Sequence, residues 1–421
     1  GPSAIPHMIL NELIDRETFA KYLALLTHAG ETHVDDRHNN AFWLDPVTGK
    51  LNPLLEDVNG YDFPNRETQQ LHRPIIKRDG AFVTAWQKNP KNFALYISRL
   101  YELLHSFGSA ESLEVWIRSK WKQVRSAAVS DLNASKASQN SRSLIPVNRL
   151  DQNVENLIQF IQSRNYWIEK QISDDKISII SQSENGFEVY IEGFAGVSVK
   201  KRNQHSLDSL IEKTFPILLI PSVSMIIGDL LSLPPSYSFY RLSGKPNDYV
   251  FIHRLTGKTL NFSSPPEHLD ILRVTAGINA LQISEPDTTP VLIGPGTVLL
   301  HETREYNVGQ PVTILPGTKL KLGPGVSLIL RGPLHVKGTN EQPVLIHSLD
   351  PREPFGVVAL LGKETAGSSV RHLDIEGGSV HRRYNLNFTG MFSVHNCPDI
   401  EIHESRFGQN YIGDDALHIL G

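Results

Sequence analysis

The sequence predicts a multidomain protein of mixed α+β and all-β class, with helices first, a β-rich segment next and a β-solenoid of short parallel strands last. Three observations support this prediction. Apolar residues recur at helical spacing up to about residue 172, they alternate over residues 173–286, and Pro-Gly and Gly-Pro pairs separate short apolar strands from residue 287 onward. We therefore expect domains at 9–172, 173–286 and 287–421, and interpret residues 1–8 (GPSAIPHM) as a cloning scar.

The composition sets limits on the function. A net charge of −4 and a pI near 6.5 argue against a nucleic-acid partner, which usually requires a basic face. The single Cys397 cannot form an internal disulfide. The most apolar stretch, residues 215–233, contains two prolines and Asp229, so we expect buried core there and no membrane span.

The first domain is predicted to be mostly helical. Residues 9–28, 92–105, 112–130 and 149–172 each place apolar side chains at helical spacing. Residues 133–143 (NASKASQNSRS) are small and polar, and we expect a loop or linker there.

The middle domain begins where the spacing of apolar residues changes from the helical pattern to every second residue. The pair Asn185-Gly186 between two alternating runs predicts a β-hairpin, and a helical insert is expected near residues 206–212.

The last domain shows short apolar segments that recur at about the spacing of one solenoid coil. Val, Ile and Leu would fill the interior, whereas charged residues such as Lys319, Lys321, Arg371 and Glu401 would face outward. A β-sandwich is the alternative that short strands also permit, and the loose but directional repeats favour the solenoid.

One local motif has the spacing of a catalytic loop. Residues 33–40 (HVDDRHNN) contain H-x-D-x-x-x-x-N, with His33, Asp35 and Asn40 at the key positions. Asp57 follows a predicted hairpin, in the order in which a kinase presents its metal-binding aspartate. The structural alternative is a polar loop whose Asp and Asn side chains make turn and cap hydrogen bonds.

A wider stretch resembles the CotH family of atypical secretory kinases. The resemblance rests on a helix of the type IDRETFAKYLALL, the loop with Asp35 and paired Asn39-Asn40, an aromatic strand, the turn DPVTGK at 45–50, and Asp57. It covers residues 9–172, which it identifies as a kinase-like C-terminal lobe. The last domain is similar to the right-handed parallel β-helix attached to many bacterial CotH-like proteins.

The resemblance implies the role of each residue. Asp35 would be the catalytic aspartate, and Asn40 and Asp57 would hold Mg or Mn ions that bridge the ATP phosphates. Supporting positions are His33, Asp36, His38 and Asn39. Two departures from the family pattern matter: Glu56 stands where a Trp usually precedes the metal-binding aspartate, and no nucleotide-binding lobe precedes residue 9, so this fragment is expected to turn over little.

The function expected for the intact protein is ATP- and metal-dependent phosphorylation of Ser or Thr in a protein substrate, outside the cytosol. The alternative is a non-catalytic cell-envelope scaffold or carbohydrate-binding protein that uses the β-helix as its surface. A polysaccharide lyase is a third hypothesis, and the coils present do not show the clustered catalytic set that it needs.

Weaker signals lie near the end of the chain. Asp414-Asp415 and Glu401–Glu404 could bind a cation or a sugar, although solvated edges are the commoner role of such carboxylates. The run His381–Tyr384 (HRRY) could meet an anionic glycan.

Overall fold

The computed structural model describes residues 10, 12–31, 41–55, 71–76, 81–130, 150–201, 217–219, 221–223, 236–266, 272, 287–383 and 385–421. Two compact units divide the chain. The first comprises residues 1–42 and 52–281, and the second comprises residues 43–51 and 282–421.

The first unit begins with helices whose ends follow local chemistry. The described helices are α1 (Arg16–Ala29), α2 (Ala81–Gln87), α3 (Pro90–Leu104), α4 (Ala110–Ser130) and α5 (Leu150–Ser173). The helix predicted at 9–28 is interrupted: residues 10, 12 and 13 are helical, the helix breaks at Ile14 and Asp15, and α1 begins at Arg16. Asp15 caps α1 by accepting from the backbone N–H of Thr18 at 2.7 Å, and Gly30 ends the helix at a φ of 69°. A capping aspartate has extended backbone geometry, which interrupts the apolar periodicity that we extended through it.

The other predicted helices are confirmed to within a few residues. Asn89 caps α3 and Pro90 occupies its first turn, where a missing N–H costs nothing. One apolar core gathers the faces of α1, α2, α3 and α5; its fully buried large side chains include Phe19, Trp86, Phe93 and Tyr96.

The β-rich part of the first unit contains two sheets. The five-stranded sheet has the order β10-β3-β4-β8-β7, and its strands are β3 (Lys176–Ser183), β4 (Gly186–Glu192), β7 (Ser222–Val223), β8 (Ser236–Ser243) and β10 (Phe262–Ser263). The three-stranded sheet has the order β6-β5-β9, with β5 (Val197–Lys201), β6 (Ile217–Leu219) and β9 (Tyr249–His253). The hairpin predicted at Asn185-Gly186 is confirmed, because β3 pairs antiparallel with β4 across it. The predicted linker at 133–143 and the helical insert near 206–212 lie outside the described residues.

Three five-stranded parallel sheets form most of the second unit. The first sheet contains β11 (Val291–Ile293), β14 (Val312–Ile314), β17 (Leu334–Lys337), β20 (Ser369–Arg371) and β25 (Glu401–His403). The second contains β12 (Gly296–Leu300), β15 (Thr318–Leu322), β18 (Val344–Ser348), β21 (Leu373–Glu376) and β26 (Arg406–Phe407). The third contains β13 (Arg304–Glu305), β16 (Leu328–Leu330), β19 (Val358–Leu361), β24 (Gly390–His395) and β27 (Asp415–Leu420).

The chain visits these three sheets in rotation and adds one strand to each on every pass. Alternate residues of the strands point inward and are buried, as Val312, Ile314, Leu320 and Leu322 show. The fourth of the five passes contains an inserted antiparallel hairpin, β22 (His381–Arg383) with β23 (Leu386–Phe388), between β21 and β24.

The expected outward residues of this unit are confirmed as exposed: Lys319, Lys321, Arg371 and Glu401. Short 3-10 helices occur at Pro246–Asp248 in the first unit and Lys363–Thr365 in the second. Among the described helices, none combines the length and the apolar character that crossing a bilayer requires.

Candidate functional site

The residues predicted to carry catalysis fall in two segments outside the described part of the chain. Residues 32–40 contain His33, Asp35, Asp36, His38, Asn39 and Asn40, and residues 56–70 contain Asp57. Described helices and strands precede, separate and follow these two segments.

A two-stranded hairpin separates the two segments, as predicted. Strand β1 (Ala41–Leu44) and strand β2 (Leu51–Leu54) form one sheet, joined by a six-residue connection. A connection this short allows only an antiparallel arrangement. The first residue of β1 and the last residue of β2 therefore lie at the same, open end of the hairpin.

The closed end of the hairpin is built around Asp45. Its carboxylate accepts from the backbone N–H of Val47 at 2.9 Å and from the Thr48 hydroxyl at 2.6 Å. The backbone N–H of Asp45 donates to the Lys50 carbonyl at 2.9 Å, and Gly49 adopts a φ of 66°. These contacts give the D-P-x-x-G-K turn a structural role, because an aspartate at the first turn position satisfies the backbone two residues on.

Aromatic packing fixes the start of β1 in the first unit. The Phe42 ring lies 6.4 Å from that of Phe19 on α1 and 5.6 Å, edge-on, from that of Phe82 on α2.

A buried arginine holds the described residues on both sides of the candidate segments. Arg164 on α5 is fully buried, and its guanidinium donates to the Thr27 carbonyl at 2.7 and 3.2 Å. It also donates to the carbonyls of Leu71 at 2.6 Å and Arg73 at 3.0 Å. Thr27 lies in the last turn of α1, whereas Leu71 and Arg73 follow residues 56–70. The planar fork of five donors suits this task, since it reaches several carbonyls at once.

Further polar contacts reinforce the same region. The Thr27 hydroxyl bonds to the Tyr96 hydroxyl at 2.6 Å, and the Tyr96 hydroxyl donates to the Ile75 carbonyl at 2.7 Å. The neighbouring His28 places Nε2 2.9 Å from the Gly108 carbonyl. Burial lowers the pKa of His28 to about 4, so the ring is neutral at physiological pH and its N–H donates to that carbonyl.

The sequence analysis missed this arginine. A single Arg in an amphipathic helix is usually a solvated residue. One signal was present, because Ile161, Arg164, Asn165 and Ile168 recur at spacings of three and four, which puts them on one face.

A second buried polar group was also missed. Asp175, just after α5, accepts from the backbone N–H groups of Phe194, Ala195 and Gly196 at 2.8, 3.2 and 2.6 Å. Burial raises its pKa to about 6, against the opposing effect of these hydrogen bonds. Asp175 fixes the connection between β4 and β5, and the paired glycines 193 and 196 in the sequence were its signal.

The weaker sequence signals near the end of the chain have local partners. Arg371 and His403 lie 3.8 and 3.6 Å from Glu401, and His372 lies 2.7 Å from Glu404. These pairs give Glu401 and Glu404 the solvated-edge role, since their charges are compensated.

The glycan hypothesis for residues 381–384 is weakened by an ion pair. Arg383 makes a bidentate contact with Glu305, at 3.0 and 2.5 Å, so its charge is used within the protein. Asp415 lies 3.3 Å from Nδ1 of His418, which also bonds to the Thr389 hydroxyl.

Within the described ranges, no group of three or more His, Cys, Asp or Glu side chains could hold a metal ion. The comparisons with known proteins give no match: no family model, no curated protein and no solved structure is similar to this chain.

Proposed function

We propose that the intact protein is a CotH-like atypical protein kinase that transfers the γ-phosphoryl group of ATP to Ser or Thr of a protein substrate outside the cytosol. In this proposal the helical part of the first unit is a kinase-like C-terminal lobe. The three parallel sheets of the second unit are a right-handed parallel β-helix that serves as a docking platform.

The hairpin β1–β2 is the observation that carries the proposal. Asn40 is bonded directly to Ala41 at its open end, and Asp57 comes three residues after Leu54 at the same end. Because successive Cα atoms are about 3.8 Å apart, chain connectivity alone limits both residues to the neighbourhood of that open end. A kinase needs its catalytic-loop Asn and its metal-binding Asp close together, and this order of elements is compatible with that requirement.

The donor set fits the cofactor. Carboxylate and amide oxygens are the ligands that Mg²⁺ and Mn²⁺ prefer, so Asn40 and Asp57 are suited to hold them. Bound ATP and metal would supply the phosphoryl group and neutralise its developing charge. Asp35 would orient the attacking hydroxyl and accept its proton. Arg164 supports such a site by holding Thr27, Leu71 and Arg73 together.

The test is titration of ATP with Mn²⁺ into the full-length gene product and its Asp57→Asn and Asp35→Asn variants. Asp57→Asn should weaken metal-dependent nucleotide binding by roughly tenfold or more, because it removes a charged ligand. Asp35→Asn should retain binding and lose phosphoryl transfer. Asp45→Asn is the matched control: it makes the same change at the closed end of the same hairpin and should leave both properties unchanged.

The proposal fails if the full-length protein binds no nucleotide in the presence of metal, or if Asp57→Asn and Asp45→Asn behave alike. The second candidate then takes its place.

That second candidate is a non-catalytic cell-envelope scaffold or carbohydrate-binding protein. It is favoured by the outer face of the second sheet of the second unit, where strand pairing aligns mostly polar side chains in register. Under this hypothesis a glycan binds to the second unit whether or not the first unit binds ATP.

A further inference from the structure

The outer face of the second sheet carries two straight rows of side chains. Strand pairing in strict register aligns them across the strands. One row contains Thr297, Lys319, Leu345, Asp374 and Arg406, and the other contains Leu299, Lys321, His347 and Glu376. Neighbouring members of a row lie on adjacent strands, about 4.8 Å apart.

The two ends of this face differ in how their charges are compensated. Arg406 contacts Asp374 at 2.8 Å and Glu376 at 3.1 Å, so both carboxylates of the acidic half share one cation within the sheet. Lys319 and Lys321 are exposed, and the strands on either side place only uncharged side chains and His347 beside them. Within the described part of the chain, neither lysine makes an ion pair.

A groove adjoins the lysine end of the face. It has a volume of about 560 Å³, and its walls include Pro295, Pro316, Pro343 and Leu345 beside Lys319. Glu341 and Gln342 lie at its rim. Both of these side chains are exposed, so the groove offers an apolar floor, an amide and a carboxylate next to two lysines.

We propose that this groove and the pair Lys319/Lys321 form a binding surface for an acidic polysaccharide of the uronic-acid type. The inference rests on the second candidate function and specifies its ligand class. The two lysines lie on one face of a strand, roughly 7 Å apart, and can contact carboxylates of successive or alternate sugars. The proline and leucine walls pack against the apolar ring faces of the sugars, and the Gln342 amide bonds to hydroxyls.

An acidic glycan fits this surface better than a nucleic acid does. Nucleic-acid binding neutralises a run of phosphates and needs more cations than two lysines provide. Glu341 at the groove can accept a hydrogen bond from a glycan hydroxyl.

The test is calorimetric titration of polygalacturonate oligosaccharides into the full chain and a Lys319→Gln/Lys321→Gln variant. The double variant should bind about tenfold more weakly or worse, since both charge-assisted contacts are lost. The control is Lys337→Gln/Lys363→Gln, which removes the same charge from exposed positions elsewhere in the second unit and should bind like the wild type. Circular dichroism verifies that all variants retain their β content, and uncharged dextran should not bind.

Three outcomes would overturn the inference. If the double variant binds polygalacturonate as the wild type does, the carbohydrate-binding function stands but this surface is wrong. If the wild type binds no acidic glycan, both the surface and its ligand class are wrong. If single-stranded DNA binds as tightly as polygalacturonate and loses affinity in the same variant, the surface is a general anion site.

Discussion

At the scale of single residues, the candidate site depends on a side chain with no expected chemical role. Arg164 is fully buried in the first unit and donates to the backbone carbonyls of Thr27, Leu71 and Arg73. The Thr27 carbonyl belongs to a buried residue and those of Leu71 and Arg73 to partly buried ones, and a carbonyl removed from water needs a donor. Arg164 thus joins the end of α1 to the chain that follows residues 56–70.

We predict that Arg164→Met lowers the free energy of unfolding of the first unit by about 3–5 kcal/mol, because the carbonyls of Thr27, Leu71 and Arg73 lose their donor. Arg164→Lys should be intermediate, since an ammonium cannot reproduce the planar fork. Urea unfolding followed by tryptophan fluorescence measures the loss, and buried Trp86 lies in the same core. Arg118→Met is the control: Arg118 pairs with Glu155 in solvent, and its loss should change stability little. Equal stability of Arg164→Met and the wild type would contradict the structural role.

Residue-level prediction from sequence worked for turns and failed for buried polar groups. The Asp45 turn and the Asn185-Gly186 hairpin depend on neighbours two to four residues away, so their signals are local. Arg164 and Asp175 are defined by partners between 19 and 137 residues distant along the chain. No spacing rule reports such contacts.

At the scale of elements, the second unit depends on close backbone approach between successive passes of the chain. Gly332 follows β16, and a Cβ atom there would lie 2.6 Å from the Gln310 carbonyl carbon and closer still to its oxygen. Backbone cannot move aside as a flexible side chain does, so only glycine fits.

We predict that Gly332→Ala destabilises the second unit by about 1–3 kcal/mol or more, through overpacking against the Gln310 backbone. Thermal unfolding, monitored by far-UV circular dichroism, measures this loss of stability. Gly325→Ala is the comparison, since nothing lies within 4 Å of a Cβ there and only its φ of 66° opposes alanine. Gly325→Ala should lower the free energy of unfolding by about 1 kcal/mol. If both substitutions cost the same, close approach is not what selects glycine at 332.

Element types could be predicted more reliably than element starts. The helical spacing of apolar residues predicted α3, α4 and α5. The helices α3 and α5 bury their apolar stripe, whereas α4 leaves Val115, Trp116 and Val124 exposed. The break at Ile14 and Asp15 was not predicted, because Leu10 and Ile14 are buried like helix residues and continue the apolar spacing up to the capping Asp15. Parallel pairing of the last strands followed from their recurrence, whereas the inserted hairpin β22–β23 broke that recurrence and gave no separate signal.

At the scale of the whole molecule, both units contain buried histidines, and burial disfavours the charged form of the ring. In the second unit, His395 is 1% exposed, and neither ring nitrogen has a hydrogen-bond partner among the described residues. Its ring lies 4.9 Å from Phe388 of the inserted hairpin and 5.5 Å from His418 of β27. Burial, and then the charge of His418, lower the pKa of His395 to about 4.

This pKa makes the stability of the second unit dependent on pH. The folded-state pKa of His395 lies below the value of 6.5 for a free histidine, so between the two values the unfolded chain binds more protons. The contribution of neutral His395 is therefore complete above about pH 6.5 and is lost as the pH falls toward 4. We predict a loss of about 3 kcal/mol across that window, measured by urea unfolding at several pH values. His395→Phe keeps the ring and removes the titration, and should flatten the dependence, whereas the exposed control His301→Phe should leave it steep. An equally steep pH dependence in His395→Phe would show that other groups of this unit cause the effect.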